Sequence, residues 1–233
     1  MTTHSNTQTP TSPARQNPQE RMSTDQTLTP EPSAPLLVQR LPDLLQQVRQ
    51  CQLCAAHLPC PPRPIIQISA SARLLIIGQA PGSKVQVSGI PWDDASGKRL
   101  REWLQLTPEQ FYNEEKIAIV PVGLCYPGKG KSGDLPPRAE CAPRWHADLL
   151  ARMPELQLIL LIGQYAQNYY LPKAFLRQYK TLTERVKHCQ DVPEPFFVLP
   201  HPSPRNRHWL SKNPWFEAQT IPTLRRQLDT LLF

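Results

Sequence analysis

Two carboxylates stand directly behind a tryptophan in the segment Trp92-Asp93-Asp94. A carboxylate can orient a water molecule or stabilise a developing positive charge, and an aromatic ring can stack on a flat ligand. A helical pattern with Leu100 and Trp103 on one face follows at once. These residue types indicate a catalytic or binding site. The alternative interpretation is an ordinary connection between a strand and a helix.

The elements around this segment are those that form ligand sites in open α/β sheets. The apolar run Leu74–Ile77 predicts a buried strand, Gly78 ends it, and Pro81-Gly82 predicts a tight turn. Ser96 is the predicted N-cap of the helix that follows. Strand, tight loop and helix start together predict a site at the carboxyl end of the strand.

A second candidate motif, His201-Pro-Ser-Pro-Arg-Asn206, follows the apolar run Phe196–Leu199. Its prolines hold the histidine on a rigid loop, from which the imidazole can donate a hydrogen bond to negative charge on a leaving group. Arg205 and Arg207 suit contacts with phosphates of a nucleic acid. A histidine at this position can equally be a structural residue.

The third candidate site consists of cysteines. Cys51 and Cys54 form a C-x-x-C pair, which can direct two sulfurs at one metal or cluster, and Cys125 and Cys141 can supply two more. By residue type alone, zinc and an iron–sulfur cluster fit equally well, and buried free thiols are the alternative. The loop between Cys125 and Cys141 is too rich in Gly and Pro for regular structure, and we expect the cysteines to tie it down.

Four short apolar runs predict the strands of one sheet: Leu74–Ile77, Ile117–Val122, Leu158–Ile162 and Phe196–Leu199. Helical patterns separate them, and strands that alternate with helices predict a parallel sheet with helices on both faces. The predicted fold class is therefore α/β, a three-layer α/β/α sandwich with a central four-stranded parallel sheet.

Composition bounds the domain organisation and the partner. Residues 1–35 are a Thr-, Ser-, Gln- and Pro-rich run that predicts a disordered tail, and residues 36–233 form the predicted domain, which opens with a helical pattern. The net charge is +7, of which the tail contributes −1, so the domain is basic and favours an anionic partner. No run is long enough to span a membrane, and no signal pattern is present. We expect a monomeric cytoplasmic protein that works at the bacterial nucleoid.

Over about residues 45–232 the chain resembles the uracil-DNA glycosylase superfamily, chiefly its iron–sulfur branch, the fourth family. Gly78-Gln-Ala-Pro-Gly82 resembles the first motif of that branch, and His201–Asn206 resembles the His-Pro-Ser loop of the superfamily. Leu161-Ile-Gly163 with Ala166 is similar to another shared segment. The four cysteines named above match the cluster ligands of the branch, including the fifteen-residue gap between the last two.

The resemblance implies a fold, an activity and a cofactor. It implies the uracil-DNA glycosylase fold, with the four-stranded parallel sheet described above. The implied activity is hydrolysis of the N-glycosidic bond of a damaged base in DNA, first of all uracil, in base excision repair. The implied cofactor is a structural 4Fe–4S cluster on Cys51, Cys54, Cys125 and Cys141, with zinc as the alternative.

The chain departs from the family pattern at three places. The fourth family has Glu where this chain has Gln79, and the Asp of a related Gly-Gln-Asp-Pro motif falls at Ala80. Asp94 before Ala-Ser-Gly resembles instead a fifth-family segment, whose Asp is thought catalytic. The Asn that reads the uracil edge in the family stands where this chain has Pro121. These departures leave the catalytic carboxylate to Asp94 and the base preference open.

The resemblance also distributes roles over the site. Asp94 is expected to stabilise the sugar cation and orient water, with Asp93 as second candidate, and His201 to donate to the leaving base. Gln79 is expected to position water or contact the base. The expected base contacts are Ala80 and Trp92, and the alternative interpretation of Trp92 is plain core packing. The expected DNA contacts are Ser203, Pro204, Arg205, Asn206, Lys129 and Lys131, with Arg138 and Arg207 on the same basic surface.

Two further hypotheses come from other functional classes. The missing first-motif carboxylate and Pro121 favour a DNA-binding protein that senses damage without cutting. The other hypothesis is a nucleotide-binding protein of the same fold that is crosslinked by a zinc ion.

Overall fold

The computed structural model describes residues 40–233. The tail predicted at residues 1–35 and the start of the helix predicted from Leu36 lie outside the described residues. Within residues 40–233, no helix is both long and apolar enough to cross a membrane.

The elements follow one another in the order helix, strand, helix that the sequence predicts. The strands are β1 (Leu74–Ile77), β2 (Ile117–Ile119), β3 (Lys129–Gly130), β4 (Gly133–Asp134), β5 (Leu158–Ile162) and β6 (Phe196–Leu199). The helices are α1 (Leu41–Arg49), α2 (Ser83–Ser88), α3 (Ala95–Leu104), α4 (Pro108–Phe111), α5 (Cys141–Leu150), α6 (Gly163–Tyr170), α7 (Lys173–Gln178), α8 (Leu182–Lys187), α9 (Arg207–Lys212) and α10 (Ile221–Leu232).

A four-stranded parallel sheet with the strand order β2-β1-β5-β6 forms the centre. All four consecutive residues of β1 are fully buried, and because successive side chains point to opposite faces, both faces of the sheet are covered. The predicted fold class, a parallel four-stranded sheet between helices, is confirmed. The chain adds β2 on one side of β1 and then β5 and β6 on the other, so the strand order reverses between β1 and β5.

Two elements differ from their predictions. The second strand ends at Ile119 rather than Val122. The Val120 N–H still donates to the Ile76 carbonyl, and Pro121, which comes next, has no N–H to continue the ladder. The loop between Cys125 and Cys141, predicted to lack regular structure, contains the short antiparallel hairpin β3–β4, in which Lys129 pairs with Asp134. We call residues 129–134 the hairpin.

The start of α3 also differs from its prediction. Asp94, not Ser96, is the N-cap: its Oδ1 accepts the Gly97 N–H at 2.8 Å, while Ser96 is buried inside the first turn. Either residue type can cap a helix, so the sequence alone did not decide between them.

Trp92 is packed against this helix start in a strained conformation. Its φ of 58° lies in the left-handed region, which bulky residues rarely adopt. A Cβ on Gly97 would overlap the Trp92 carbonyl oxygen, and a Cβ on Gly78 would lie 2.7 Å from Cζ2 of the indole ring. Glycine at both positions therefore lets the tryptophan lie between β1 and α3. Arg101 supports it by donating to the Trp92 carbonyl.

Gly97→Ala tests this packing. Alanine is the better helix former by about 1 kcal/mol, yet its methyl group would overlap the Trp92 backbone. We expect the variant to lose about 2–4 kcal/mol of unfolding free energy, measured by urea denaturation followed by circular dichroism.

Gly82→Ala is the matched control, because a Cβ there meets its nearest atoms at an ordinary 3.5 Å and the φ of −83° is open to alanine. Its stability should stay within about 1 kcal/mol of wild type. Equal stability of the two variants would show that the backbone at residue 97 moves away freely.

Candidate active site and cysteine cavity

A cavity of about 730 Å³ opens at the carboxyl edge of the sheet. It is lined from three sides by segments that follow strands: Gly78–Gly82 after β1, Gln164 after β5 and His201 after β6. Since the strand order reverses between β1 and β5, this is the position where open parallel sheets bind ligands. The predicted location of the site therefore coincides with this cavity.

Three of the predicted site residues, Trp92, Asp94 and His201, line this cavity together. The Trp92 and His201 rings lie 5.5 Å apart between centroids with a tilt of 35°. Asp94 is held by its helix-capping bond, which leaves its second oxygen, Oδ2, without a described donor and within 3.8 Å of the position of a Cβ on Gly82. An aromatic face, a carboxylate and an imidazole thus share one enclosed space.

His201 is fixed by its surroundings. Asn206 donates from Nδ2 to the His201 carbonyl at 2.7 Å, and Gly163 at the end of β5 leaves room for the histidine Cβ. Burial lowers the pKa of His201 below its usual range, and the nearby Asp94 opposes this only in part. The imidazole is therefore neutral near pH 7 and can act as a hydrogen-bond donor without first being charged.

Gln79, Ala80 and Asp93 differ in whether they line the cavity. Gln79 and Ala80 both line the cavity, but the Gln79 amide donates to the Leu135 carbonyl at 3.0 Å and so ties down the hairpin. Asp93, the second candidate carboxylate, is exposed and does not line the cavity. Their chemical roles stay predictions.

Pro121 forms part of the cavity wall, and its backbone is not free. His146 donates from Nε2 to the Pro121 carbonyl at 3.0 Å, and its Nδ1 contacts the Tyr170 hydroxyl. Burial lowers the pKa of His146 to about 4, so the ring is neutral and can donate at one nitrogen and accept at the other. Position 121 therefore offers a smooth wall and no hydrogen-bonding group.

The predicted DNA-contacting residues lie at the rim of the cavity or beside it. Ser203, Pro204, Arg205 and Asn206 line it, and Lys129 and Lys131 are exposed on the hairpin. Arg205 also has an internal partner, because its Nη1 donates to the Ser132 carbonyl at 2.7 Å and so joins the His201 loop to the hairpin.

Two residues differ from the sequence predictions. Arg138, expected on the basic surface, lies instead among the cysteines and pairs with Glu140 at 2.8 Å. Asp134, at the end of β4, was not among the predicted residues and yet lines the cavity. The signal that could have identified it is the pair of cysteines at the two ends of its loop, because a loop that is held at both ends can place a side chain in a site.

The four predicted cysteines line a second, narrow cavity. Cys51 and Cys54 reach it from the turn after α1, Cys125 from the start of the long loop, and Cys141 from the start of α5. All six cysteines of the chain are free thiols. The structure therefore brings together the four residues that the spacing and the resemblance selected.

The donors around this cysteine cavity fit an anionic iron–sulfur group. Arg138 Nε and Trp145 Nε1 both belong to residues that line it, and both are buried without a hydrogen-bond partner in the described structure. Buried donors normally have acceptors, and the sulfurs of a cluster would supply them. Leu124 already donates its N–H to Cys141 Sγ at 3.3 Å. Within residues 40–233, no three His, Cys, Asp or Glu side chains converge closely enough to share one metal ion.

The cavity disfavours thiolates unless a cation accompanies them. Burial, with a smaller contribution from the neighbouring thiols, raises the pKa of Cys125 to about 12 and that of Cys141 to about 11. The pKa of Cys54 is also raised by burial. Thiolates are the form that binds metals, so metal binding here must release protons and be favoured by higher pH.

Comparison with known proteins identifies the family. Residues 65–225 match the sequence profile of the Uracil DNA glycosylase superfamily. The chain is also similar to the solution NMR structure of a candidate uracil DNA glycosylase from Methanosarcina acetivorans, with 22% identity over 69% of this chain and 94% of that one and a TM-score of 0.36. The profile covers most of the chain, including all the residues that line the cavity. The protein belongs to the uracil DNA glycosylase superfamily.

Proposed function

We propose that this protein is a DNA glycosylase that hydrolyses the N-glycosidic bond of a damaged base, with uracil as the first candidate. The observation that carries the proposal is the convergence of Trp92, Asp94 and His201 on one cavity at the carboxyl edge of the sheet. Family membership supports the reaction class. A base must leave the DNA stack to enter such a cavity, and the ring of Trp92 offers a surface on which it can stack.

The charges of the site match those of the reaction. Breaking the bond leaves positive charge on the sugar and negative charge on the departing base. Asp94 can stabilise the sugar cation, and the helix cap fixes its position. The neutral His201 can donate a hydrogen bond to an oxygen of the base as its negative charge grows. The two residues approach from the ends of different strands, so they can act on opposite sides of the bond.

Selection of uracil requires hydrogen-bonding groups near the base. Pro121 provides none, because its carbonyl already accepts from His146. Gln79 and the rest of the Gly78–Gly82 turn line the same cavity and carry polar groups that can contact a base. We therefore place base selection on this turn, with Ala80 as a small contact surface.

The DNA surface of the proposal consists of the cavity rim. The loop at residues 203–206 is a rigid 3₁₀ turn, in which Ser203 Oγ accepts the Arg205 N–H at 3.2 Å, and it can fill the space that an extruded nucleotide leaves. Lys129 and Lys131 are exposed on the hairpin beside it and can contact phosphates.

A non-catalytic DNA-binding role is the second candidate. One observation favours it: both polar side chains have structural partners. Asp94 accepts from the N-terminus of α3, and Gln79 donates to the carbonyl of Leu135, the residue after the hairpin. The first proposal is better supported, because Asp94 Oδ2 still faces the cavity wall at Gly82.

We further propose that Cys51, Cys54, Cys125 and Cys141 bind a 4Fe–4S cluster, which would place the chain in the iron–sulfur branch of the superfamily. The unpartnered donors of Arg138 and Trp145 support an anionic group in the cysteine cavity. The cluster would supply a structural crosslink, since it would tie both ends of the 126–140 segment to the start of the domain. A mononuclear zinc site is the alternative.

Asp94→Asn and His201→Ala should each slow single-turnover release of uracil from a uracil-containing oligonucleotide by about a hundredfold or more. Asparagine is also a good N-cap, so α3 should stay intact. Binding should change far less, because phosphate contacts supply most of the affinity. Asp148→Asn is the control, as this carboxylate is exposed on α5 outside the cavity, and it should cleave like wild type. Full activity of Asp94→Asn would remove the carboxylate from the mechanism.

Cys125→Ala should abolish iron binding and the visible absorbance of a cluster in anaerobically purified protein, and it should lower stability because the long loop loses its anchor. Cys189→Ala is the control, since this half-buried thiol lies outside the cysteine cavity. Zinc without iron in the wild-type protein would decide for the alternative metal.

Replacing Lys129 and Lys131 together by alanine should weaken DNA binding equally for all sequences and reduce the slope of log Kd against log salt concentration by roughly one to two units. Lys173 and Lys187, exposed on α7 and α8, provide the control double variant. An unchanged slope in the hairpin variant would mean that the DNA backbone does not run past the hairpin.

A further inference from the structure

A second carboxylate faces the cavity. Asp134 ends β4 of the hairpin and lines the cavity together with Asp94 and His201. Its Oδ2 lies 3.5 Å from the position of a Cβ on Gly82, and Asp94 Oδ2 lies 3.8 Å from the same point. The two carboxylates therefore both approach the cavity wall at Gly82, which has no side chain to separate them.

The hairpin holds Asp134 in place. Arg205 donates to the Ser132 carbonyl at 2.7 Å, the Gln79 amide donates to the Leu135 carbonyl at 3.0 Å, and the Leu135 N–H donates to the Gly128 carbonyl at 2.8 Å. Backbone on both sides of Asp134 is thus fixed to the His201 loop and to the first motif. Within residues 40–233, no group donates a hydrogen bond to the Asp134 carboxylate itself, so its oxygens are available to a ligand or a water molecule.

The surroundings of the two carboxylates differ in a way that suits two roles. Burial raises the pKa of Asp134, and the negative charge of Asp94 adds to this, while Arg205 and Lys129 oppose it. A carboxylate with a raised pKa is a stronger base. Asp94 instead accepts the Gly97 N–H at the N-terminus of α3, a bond that fixes its position.

We propose that Asp134 is a catalytic residue that accepts the proton of the attacking water, while Asp94 stabilises the sugar cation. This inference rests on the proposed function. In the step, the water oxygen forms a bond to C1′ of the sugar and the bond between C1′ and the base nitrogen breaks, its electron pair leaving with the base. The water proton moves to the Asp134 carboxylate and from there to solvent, and the base anion takes up a proton from solvent.

Glycoside hydrolysis gives the physical reason for two carboxylates. A cation at the anomeric carbon needs a nearby negative charge, and the water that captures it needs a base; glycosidases divide comparable tasks between two carboxylates. Asp94 and Asp134 both approach the side-chain-free Gly82, so both can reach a water molecule held at this wall of the cavity. The assignment also accounts for the hairpin bonds of Gln79 and Arg205, which position Asp134.

Asp134→Asn tests the inference. The change keeps the shape of the side chain, so the hairpin should persist, but the amide cannot accept a proton. Single-turnover release of uracil should fall about a hundredfold or more, while Kd for uracil-containing DNA should stay constant or decrease, because a negative charge near the phosphates is removed. Asp148→Asn is the matched control: this carboxylate lies on α5, 3.8 Å from Arg152, outside the cavity, and should cleave like wild type.

A pH profile and chemical rescue separate a base from a positioning residue. The groups that face Asp134 are Asp94, Arg205, Lys129 and Tyr126. The wild-type rate should fall as the pH drops below the raised pKa of Asp134, and in Asp134→Asn this acidic limb should move to lower pH. Added formate should restore part of the activity of Asp134→Ala, since it can replace the missing carboxylate. A merely structural residue would show neither effect.

The outcomes distinguish this inference from the proposed function. An active wild type with an equally active Asp134→Asn overturns the role of Asp134 and leaves the glycosylase proposal intact. A slow variant with an unchanged pH profile and no rescue by formate also overturns the role as base. A wild type that releases no base from uracil-, hypoxanthine-, xanthine- or mismatched thymine-containing DNA overturns the proposed function, and this inference with it.

Discussion

The contact between the Trp92 backbone and Gly97 is the constraint on which the active site depends. A side chain at residue 97 would overlap the Trp92 carbonyl, so only glycine allows the tryptophan to reach the first turn of α3. The same glycine donates its N–H to Asp94. One residue without a side chain therefore sets both the aromatic wall and the carboxylate of the cavity. The strained φ of Trp92 is the conformational cost of this arrangement, as is common at functional sites.

The sequence predicted the central sheet well because its signal is strong. β1, β5 and β6 have the predicted bounds, since short apolar runs that end at a Gly or a Pro leave little choice. The helix cap was assigned to Ser96 rather than Asp94, because both types cap helices and only the packing of Gly97 against Trp92 decides between them. Local patterns specify which elements form, and contacts distant in sequence specify their ends.

Long-range contacts also explain what was missed in the site. Asp134 stands in a Gly- and Pro-rich loop with no periodicity, and nothing local relates it to Asp94, forty residues earlier. Its position follows from two bonds, from Arg205 and from Gln79, whose side chains the sequence assigned to DNA and to water or base. Arg138 is a second example. The sequence alone predicts a surface position for a basic residue in a loop, and only the structure shows that its neighbours are the cysteines.

The segment between Cys125 and Cys141 connects the two cavities. Its ends lie in the cysteine cavity, and its middle carries Asp134 into the cavity at the sheet edge. The hairpin alone has two residues in each strand, too few for stability in isolation. Its ends must be held for its carboxylate to keep a fixed position. In the proposed mechanism the cysteines would therefore affect the chemistry without touching the substrate. Whatever fixes their sulfurs would determine how well the hairpin can hold Asp134 beside Gly82.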